Sequence, residues 1–548
     1  MMSLRRLTPD RLLYGACLAI PVAALLLFFV LPLGTIAWRS FLSEAGGVTL
    51  ENYVVLFATP GILKATRNSL VMGGATTFIC LVLGFLIAYA LQRTRMPGKG
   101  LVSTALSLPL LAPSLVLGLG LIFLLGRNGL VGKLLGIKIE IYGFSGLLIA
   151  NVLYALPQAV LILQAALRQS DGRYYDAAAV MGATRWQQFW GITLPNVKFG
   201  LLSAGFVVFT VTLTDFGNAV VIGGNYSVLA TEIYNQVTGQ MRFGIGSAVG
   251  MLLLLPTAIA VYIERVASQR QFGTGSDSAV PPLPDYVPSR DIPLFFVVMA
   301  ASVFVFLVIL TVVFASFMQL WPYRLEPSLK HYSITLSDGY GPLWTSLGVS
   351  VATAAIGTAL LFAMSASLRK ARPVVAKLVY LLAVLPVGVP GLVLGLAYIF
   401  AFNQAGSPLA LLYGSALLLI LCNFYHYHTQ GFLTMVTGLR SIPASLEEAA
   451  TCLGSSNGRV MIDVIVPLIA PTLLSVFFFL FMRSMVTLSA VIFLVSPSLS
   501  MAAVSVMRLD EAGFTSQAAA FSTCIMATVA LAAAALKLSL HFSKRQKA

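Results

Sequence analysis

Residues 378–439 contain no Asp, Glu, Lys or Arg, an uncharged run of 62 residues between Lys377 and Arg440. A soluble domain carries about 25% charged residues, so a run this long has no place on a wetted surface. About 20 apolar residues, rising 1.5 Å each, cross the hydrocarbon core of a bilayer. The run therefore holds two spans and a short turn at 403–408. The rest of the chain agrees, with 58% of its 548 residues hydrophobic and 10% charged. That composition excludes a water-soluble enzyme, a disordered chain and a disulfide scaffold. The apolar runs are continuous rather than alternating, which excludes an outer-membrane barrel. The sequence predicts an all-α polytopic membrane protein.

Twelve apolar stretches are visible, near 12–38, 68–91, 101–125, 141–166, 197–222, 243–263, 293–317, 345–368, 374–402, 409–437, 468–495 and 513–540. They predict about 12 transmembrane helices with both termini on one side. The first stretch follows Arg5, Arg6 and Arg11 and is too long for a signal-peptide core, so it reads as a retained span. The side holding the termini carries 23 of the 34 lysines and arginines, the opposite side 10, and Arg483 lies within a span. The richer side is cytoplasmic by the positive-inside rule. This accounts for the net charge of +15 without a nucleic-acid partner, since no basic cluster interleaves with aromatics on a soluble domain. Segment 269–290 has four prolines with Gly and Ser and reads as a flexible cytoplasmic linker. Cys17, Cys80, Cys422, Cys452 and Cys524 form no CxxC pair and read as small fillers.

The chain is written twice. Pro109-Leu-Leu-Ala-Pro113-Ser-Leu-Val-Leu-Gly-Leu119 recurs as Pro386-Val-Gly-Val-Pro390-Gly-Leu-Val-Leu-Gly-Leu396, an offset of 277 residues, which Asn68-Ser69-Leu70 and Thr345-Ser346-Leu347 share. Asp176-Ala-Ala-Ala-Val-Met-Gly182 with Pro195 recurs as Glu448-Ala-Ala-Thr-Cys-Leu-Gly454 with Pro467, at an offset of 272. Odd-numbered spans run outward in both halves, so the repeat is parallel. A pseudo-dimer enclosing a path between the halves is expected.

The second repeated block lies in cytoplasmic loops 167–195 and 439–467. Alanine favours a short helix with a low-relief face, glycine allows a turn or a close backbone approach, and proline suits the start of the next span. One copy alone would pass as a re-entry turn. Two copies with equal spacing, on one membrane side, point to a partner that binds them as a pair.

These loops resemble the "EAA" loops of binding-protein-dependent ABC importer permeases of the MetI-like type I family. The resemblance rests on Asp176, Ala177, Ala178, Gly182 and Pro195, and on Glu448, Ala449, Ala450, Gly454 and Pro467. The first copy departs by Asp for Glu, which keeps the charge. The resemblance covers about 66–264 and 343–540. It implies two parallel MetI-like repeats forming a pseudo-dimer in a bacterial inner membrane, with loops that seat in cytoplasmic ATPase subunits. It implies a periplasmic substrate-binding protein as the other partner. The chain then divides into a first span and periplasmic loop (1–65), the first MetI-like domain (66–264), a linker (265–292), the seventh span and periplasmic loop (293–342), the second MetI-like domain (343–540) and a cytoplasmic tail (541–548). Within the family, the fused two-copy form resembles the ferric-iron and aminoethylphosphonate permease group. Leu213-Thr-Asp-Phe-Gly217, Val221-Ile-Gly-Gly224 and 229–237 are most similar to the aminoethylphosphonate members, while 487–497 is shared across the group.

No GxxxxGK[ST] run exists to cradle phosphates. The chain is read as no enzyme and as binding no cofactor itself, with ATP and Mg on partner subunits. No metal site is expected. His426 and His428 sit about 200° apart on a helix and face opposite sides. Ionisable groups within spans are candidates for a substrate path because burial in lipid is costly, and Asp215 and Arg483 are the two. Two readings stand open: both face the path, or Asp215 is hydrated at the outer end of its span and Arg483 snorkels. An arginine fork suits phosphonate oxygens, so a phosphonate-type anion is the expected substrate, with ferric iron as the alternative. A twelve-span secondary transporter is the rival from another class, and paired docking loops argue against it.

Overall fold

The computed structural model describes residues 9–43, 46–272, 280, 282–334, 339–404 and 406–545. Among them, ten helices, from Tyr14–Arg39 to Thr515–Leu540, are long and apolar enough to cross a membrane. A pair of shorter helices bent by 109° adds an eleventh candidate. Ala416–Arg440 is 25 residues long, about 37 Å, but the polar run at 423–430 keeps it out of that set. The expected all-helical architecture of about twelve crossings holds, with strands confined, among the described residues, to a hairpin of Met318–Leu320 and Arg324–Pro327.

Two of the expected spans are broken. The stretch at 374–402 is Pro373–Val384, a tight 3-10 turn Leu385–Gly388, then Gly391–Phe402 turned by 109°. The stretch at 101–125 is built alike, from Lys99–Ser107, Leu108–Leu111 and Ser114–Leu125. The repeated prolines cause both breaks. Pro113 and Pro390 offer no N–H and push the preceding residue out of the helical region. Ala112 (ψ 147°) and Val389 (ψ 117°) are extended accordingly. A break leaves carbonyls without helical partners, and these need donors in a low-dielectric interior. His428 Nδ1 lies 3.1 Å from Ala383 O, and Thr429 Oγ1 donates to Ala383 O at 3.2 Å and Val384 O at 3.3 Å. The polar run in Ala416–Arg440 serves the break beside it.

Pro195 and Pro467 stand at the start of the α-helices Leu194–Thr214 and Val466–Met485, as expected. The helical run nevertheless begins earlier, at Arg185 and Asn457, and a π-turn just before each proline, Phe189–Thr193 and Val460–Ile465, joins the two parts. A π-turn opens the ladder where proline lacks its N–H. These helices also stop earlier than expected. Past Thr214 come short helices Gly217–Ile222 and Leu229–Tyr234, and past Met485 the chain turns until Ala502–Glu511.

The chain divides into two compact units, one of 40–336 with 506–524 and one of 1–39, 337–505 and 525–548. In the first, Pro60–Arg93, Phe144–Arg168 and Leu194–Thr214 meet around buried Ala88, Leu163, Ala166, Leu167, Val197 and Ala204. Small residues let these backbones approach: a Cβ on Gly200 would stand 2.5 Å from the Ala166 methyl. Pro288–Ser316 packs on Ser114–Leu125, where a Cβ on Gly120 would lie 2.6 Å from Val308 O. In the second unit, Pro9–Leu25 and Leu31–Arg39 pack on Gly341–Leu368 and Gly391–Phe402, and Tyr398 Oη donates to Phe28 O. The opening span of each sequence half thus joins the helices of the other half.

Candidate functional site

The first of the two repeated loops forms the helix Gly172–Val180. Asp171 caps it by accepting from Arg173 N at 3.0 Å. The helix closes with Gly182 N donating to Ala179 O at 3.0 Å and Ala183 N to Ala178 O at 2.9 Å. Gly182 has φ +81°, and Thr184 then caps the next helix with Gln187 in a capping box. The second loop repeats the closing turn and the cap that follows it, with Pro443 in place of the Asp171 cap. Ala444–Cys452 closes with Gly454 N to Thr451 O at 3.0 Å and Ser455 N to Ala450 O at 3.1 Å, Gly454 has φ +85°, and Ser456 caps the following helix. The two glycines are therefore required by backbone conformation, because the left-handed region penalises a Cβ. A Cβ at either would meet open space.

Asp176, Ala177, Glu448 and Ala449 are exposed, Ala178 is buried and Ala450 half-buried. The motif residues alone do not make the surface. Large apolar side chains stand out at the same 272-residue offset: Tyr174 (63% exposed) with Leu446 (43%), Met181 (80%) with Leu453 (87%), and Trp190 (52%) with Ile462 (67%). Exposed apolar clusters of this kind mark protein or membrane contacts. The sequence reading missed these pairs, although the repeat offset would have picked them out.

It also missed the arginines that anchor the loops, having treated them as topology charges. Arg93, 7% exposed, donates to Leu167 O at 3.2 Å and to Tyr175 Oη at 3.4 Å, with its guanidinium 5.0 Å from the Tyr175 ring. Arg369 donates to Leu439 O at 3.0 Å and Ile442 O at 3.2 Å and pairs with Glu447 at 2.9 Å. Leu167 and Leu439, like Tyr175 and Glu447, are repeat equivalents. In each half one arginine caps the carbonyl end of a long helix and grips the loop helix.

Asp215 sits at the C-terminal cap of Leu194–Thr214, buried, and Oδ2 accepts from Asn218 N at 3.0 Å. It opens the helix Gly217–Ile222 as an N-capping carboxylate does. Asn218 Nδ2 in turn lies 3.3 Å from Asn151 Oδ1. At the 272 offset Asp215 matches Thr487, not Arg483, which matches Val211. Thr487 Oγ1 donates to Arg483 O at 2.7 Å and lies 2.9 Å from Tyr427 Oη. Arg483 lies in the last turn of Val466–Met485 with its guanidinium 4.9 Å from the Tyr427 ring.

The linker is not free along its described length. Val280 and 282–287 lie against loop 1, with Asp285 bonded to Arg185 at 2.6 Å and Arg290 at 2.8 Å. Residues 273–279 and 281 of the linker, and 546–548 of the tail, fall outside the described residues.

The sequence matches the family described as "Binding-protein-dependent transport system inner membrane component" twice, over 80–272 and 355–546. The chain belongs to this family. It is a fused two-copy permease of a binding-protein-dependent ABC importer, a polytopic protein of the bacterial inner membrane whose partners are ATPase subunits and a periplasmic binding protein. The permease is 28% identical over 541 residues to the ferric transport system permease protein FbpB of Actinobacillus pleuropneumoniae, covering 95% of this chain and 77% of that one. Over single halves it is 34% identical to the molybdenum transport system permease protein ModB of Azotobacter vinelandii (182 residues, 32% of this chain and 80% of that one). It is 26% identical to the sulfate transport system permease protein CysW of Synechococcus elongatus (248 residues, 43% and 85%).

Proposed function

We propose that loops 167–195 and 439–467 seat the ATPase subunits, which hold the ATP and Mg, and that both termini and the linker are cytoplasmic. One observation carries the docking reading: three pairs of exposed apolar side chains recur at one offset, on the two loop helices, at their matching C-terminal turns and in the π-turns that follow. Asp176, Ala177, Ala178 and Gly182, with Glu448, Ala449, Ala450 and Gly454, form the low-relief ground between those knobs. ATP-driven closure of the ATPase dimer would move the two loops together and tip the helices between inward-open and outward-open states. The test is Met181→Asp with Leu453→Asp in the full transporter. The permease is expected to insert and express while co-purification of the ATPase falls at least about tenfold, as loss of buried apolar anchors does. Full retention refutes docking. Reporter fusions at Gly275 and Ala548 should both read cytoplasm.

For the substrate, likeness to a ferric permease over 95% of the chain supports ferric ion. A phosphonate-type anion is the second reading, favoured by Arg483, whose guanidinium fork lies in the last turn of a span. Asp215 and Arg483 are the candidate path residues in either case. Growth of a deletion strain under iron limitation and on aminoethylphosphonate as sole phosphorus source separates the two. A defect confined to the phosphonate condition overturns the ferric reading.

A further inference from the structure

A set of bonds joins the first docking loop to the helix Pro288–Ser316 through Val280 and residues 282–291. At the start of the loop helix, Gly172 N donates to Val280 O at 2.7 Å, and Val280 N bonds the Asp171 carboxylate. Gly172 is buried, and a Cβ there would stand 3.1 Å from Pro282 Cα, so the strap lies directly on the helix start. Beyond the end of the loop helix, Arg185 Nη1 donates to Asp285 Oδ2 at 2.6 Å. Asp285 Oδ1 accepts from Arg290 Nη2 at 2.8 Å, and Asp285 forms a parallel bridge with Thr94. Arg95 Nε donates to Pro284 O at 2.8 Å. Arg290 Nε then donates to Asp291 Oδ1 at 2.7 Å, and Val287 N to Asp291 Oδ2 at 3.2 Å. Asp291 is buried in the first turn of Pro288–Ser316, where a carboxylate also complements the helix dipole.

The second loop is tied to a different helix. Glu447 pairs with Arg369 at 2.9 Å, at the end of Gly341–Leu368, with Lys370 Nζ 3.8 Å away. Asn457, the repeat equivalent of Arg185, accepts from Lys370 Nζ at 2.8 Å, and that ammonium lies 4.7 Å from the ring of Tyr14 in the first span. Both loops are held by charge, and the first is held through the linker.

We infer that Asp285 is a positioning residue for energy coupling: by bridging Arg185 to Arg290 it makes the first docking loop and the helix Pro288–Ser316 move as one body. The inference rests on the docking role proposed above. An ATPase pushing this loop displaces a helix that packs on Ser114–Leu125 and Lys99–Ser107, the two arms of the first proline break. The linker thereby works as a tie rod rather than a tether, and the two ATPase contacts are tied to different helices.

The experiment uses the whole transporter, permease with ATPase subunits and binding protein, in proteoliposomes. Asp285→Asn and Arg185→Gln are each expected to lower binding-protein-stimulated ATP hydrolysis about threefold, the scale of a part-exposed ion pair, with the ATPase bound in unchanged ratio. The double variant should lose no more than Asp285→Asn alone, because the pair that Arg185→Gln removes is already broken there. Unchanged stimulation in both singles, or losses that multiply in the double, overturns the inference. Amide exchange over 172–185 gives a second readout. A rise of about threefold in Asp285→Asn, with Pro60–Arg93 unchanged, is expected, and no rise overturns the tie. Failure of docking itself shows elsewhere, as ATPase retained by Met181→Asp with Leu453→Asp.

Discussion

Arg369 and Glu447 are held 2.9 Å apart, Nη2 to Oε1, where the end of the helix Gly341–Leu368 meets the loop helix Ala444–Cys452. Arg369 also donates to Leu439 O and Ile442 O. Arg369→Ala leaves a half-buried carboxylate with Lys370 Nζ alone, at 3.8 Å, and removes the donor to two backbone carbonyls at once. The cost is about 2–4 kcal/mol, on the scale of broken buried pairs. Amide exchange across 444–452 should rise sharply and uptake should fall, while Arg369→Lys, which cannot serve three acceptors in one plane, should recover only part. Wild-type exchange in Arg369→Ala would remove the arginine from this role.

Gly182 and Gly454 can be tested for turn formation apart from docking. With φ +81° and +85°, each tolerates asparagine far better than a β-branched residue. Gly454→Asn should keep most ATPase stimulation. Gly454→Val should lose it, with a strain of about 1–3 kcal/mol. Equal loss in both would point to steric blocking of the partner, since within the permease a Cβ at this position meets only open space.

The strap should resist acid. Burial opposes ionisation of Asp285, but hydrogen bonds and charge from Arg290 and Arg185 outweigh it and hold the carboxyl below its ordinary range. Asp171 is lowered too, first by the Arg173 side-chain hydrogen bond. A depressed folded pKa adds stability above the unfolded value, about 3.9 for Asp, that is lost as pH falls through the folded value. Exchange at 280–287 should therefore be flat from pH 7 to about pH 5 after correction for intrinsic rates. It should rise below about pH 4, and a midpoint near pH 6 would contradict the ion-pair geometry.

The two proline breaks share a reciprocal packing. A Cβ on Gly217 would stand 2.3 Å from Ser114 Oγ, and a Cβ on Gly391 would stand 2.3 Å from Ser489 Oγ. Ser114 matches Gly391 and Gly217 matches Ser489 in the repeat, so serine and glycine have traded sides. Gly391→Ser alone should destabilise by about 1–3 kcal/mol through overpacking. Gly391→Ser with Ser489→Gly rebuilds the arrangement of the other half and should recover most of it in thermal unfolding. No recovery would mean that the second site differs in more than this pair.

The membrane class, the twofold repeat and the loop motifs were legible in the chain because they are one-dimensional signals. Span length follows from bilayer thickness, and the loop motifs recur at one offset. The local chemistry of a break was there as well, in Pro109–Pro113 and Pro386–Pro390, but its meaning was masked by apolar residues on both sides. Hydropathy sums over a window and is blind to a 109° turn within it. The anchoring roles of Arg93 and Arg369 were hidden for a different reason. An arginine counts toward the topology rule wherever its side chain points, and only folding brings Leu167 O or Glu447 to its guanidinium. The clamp on the linker is hidden most deeply. Asp285 lies 100 residues from Arg185 in a segment whose Pro, Gly and Ser content signals a free tether. What holds it is the arrival of Thr94, Arg95, Gly172 and Arg185 in one place. Composition records how readily a segment bends, whereas the contacts that restrain it are long-range and exist only once the helices that carry them have packed.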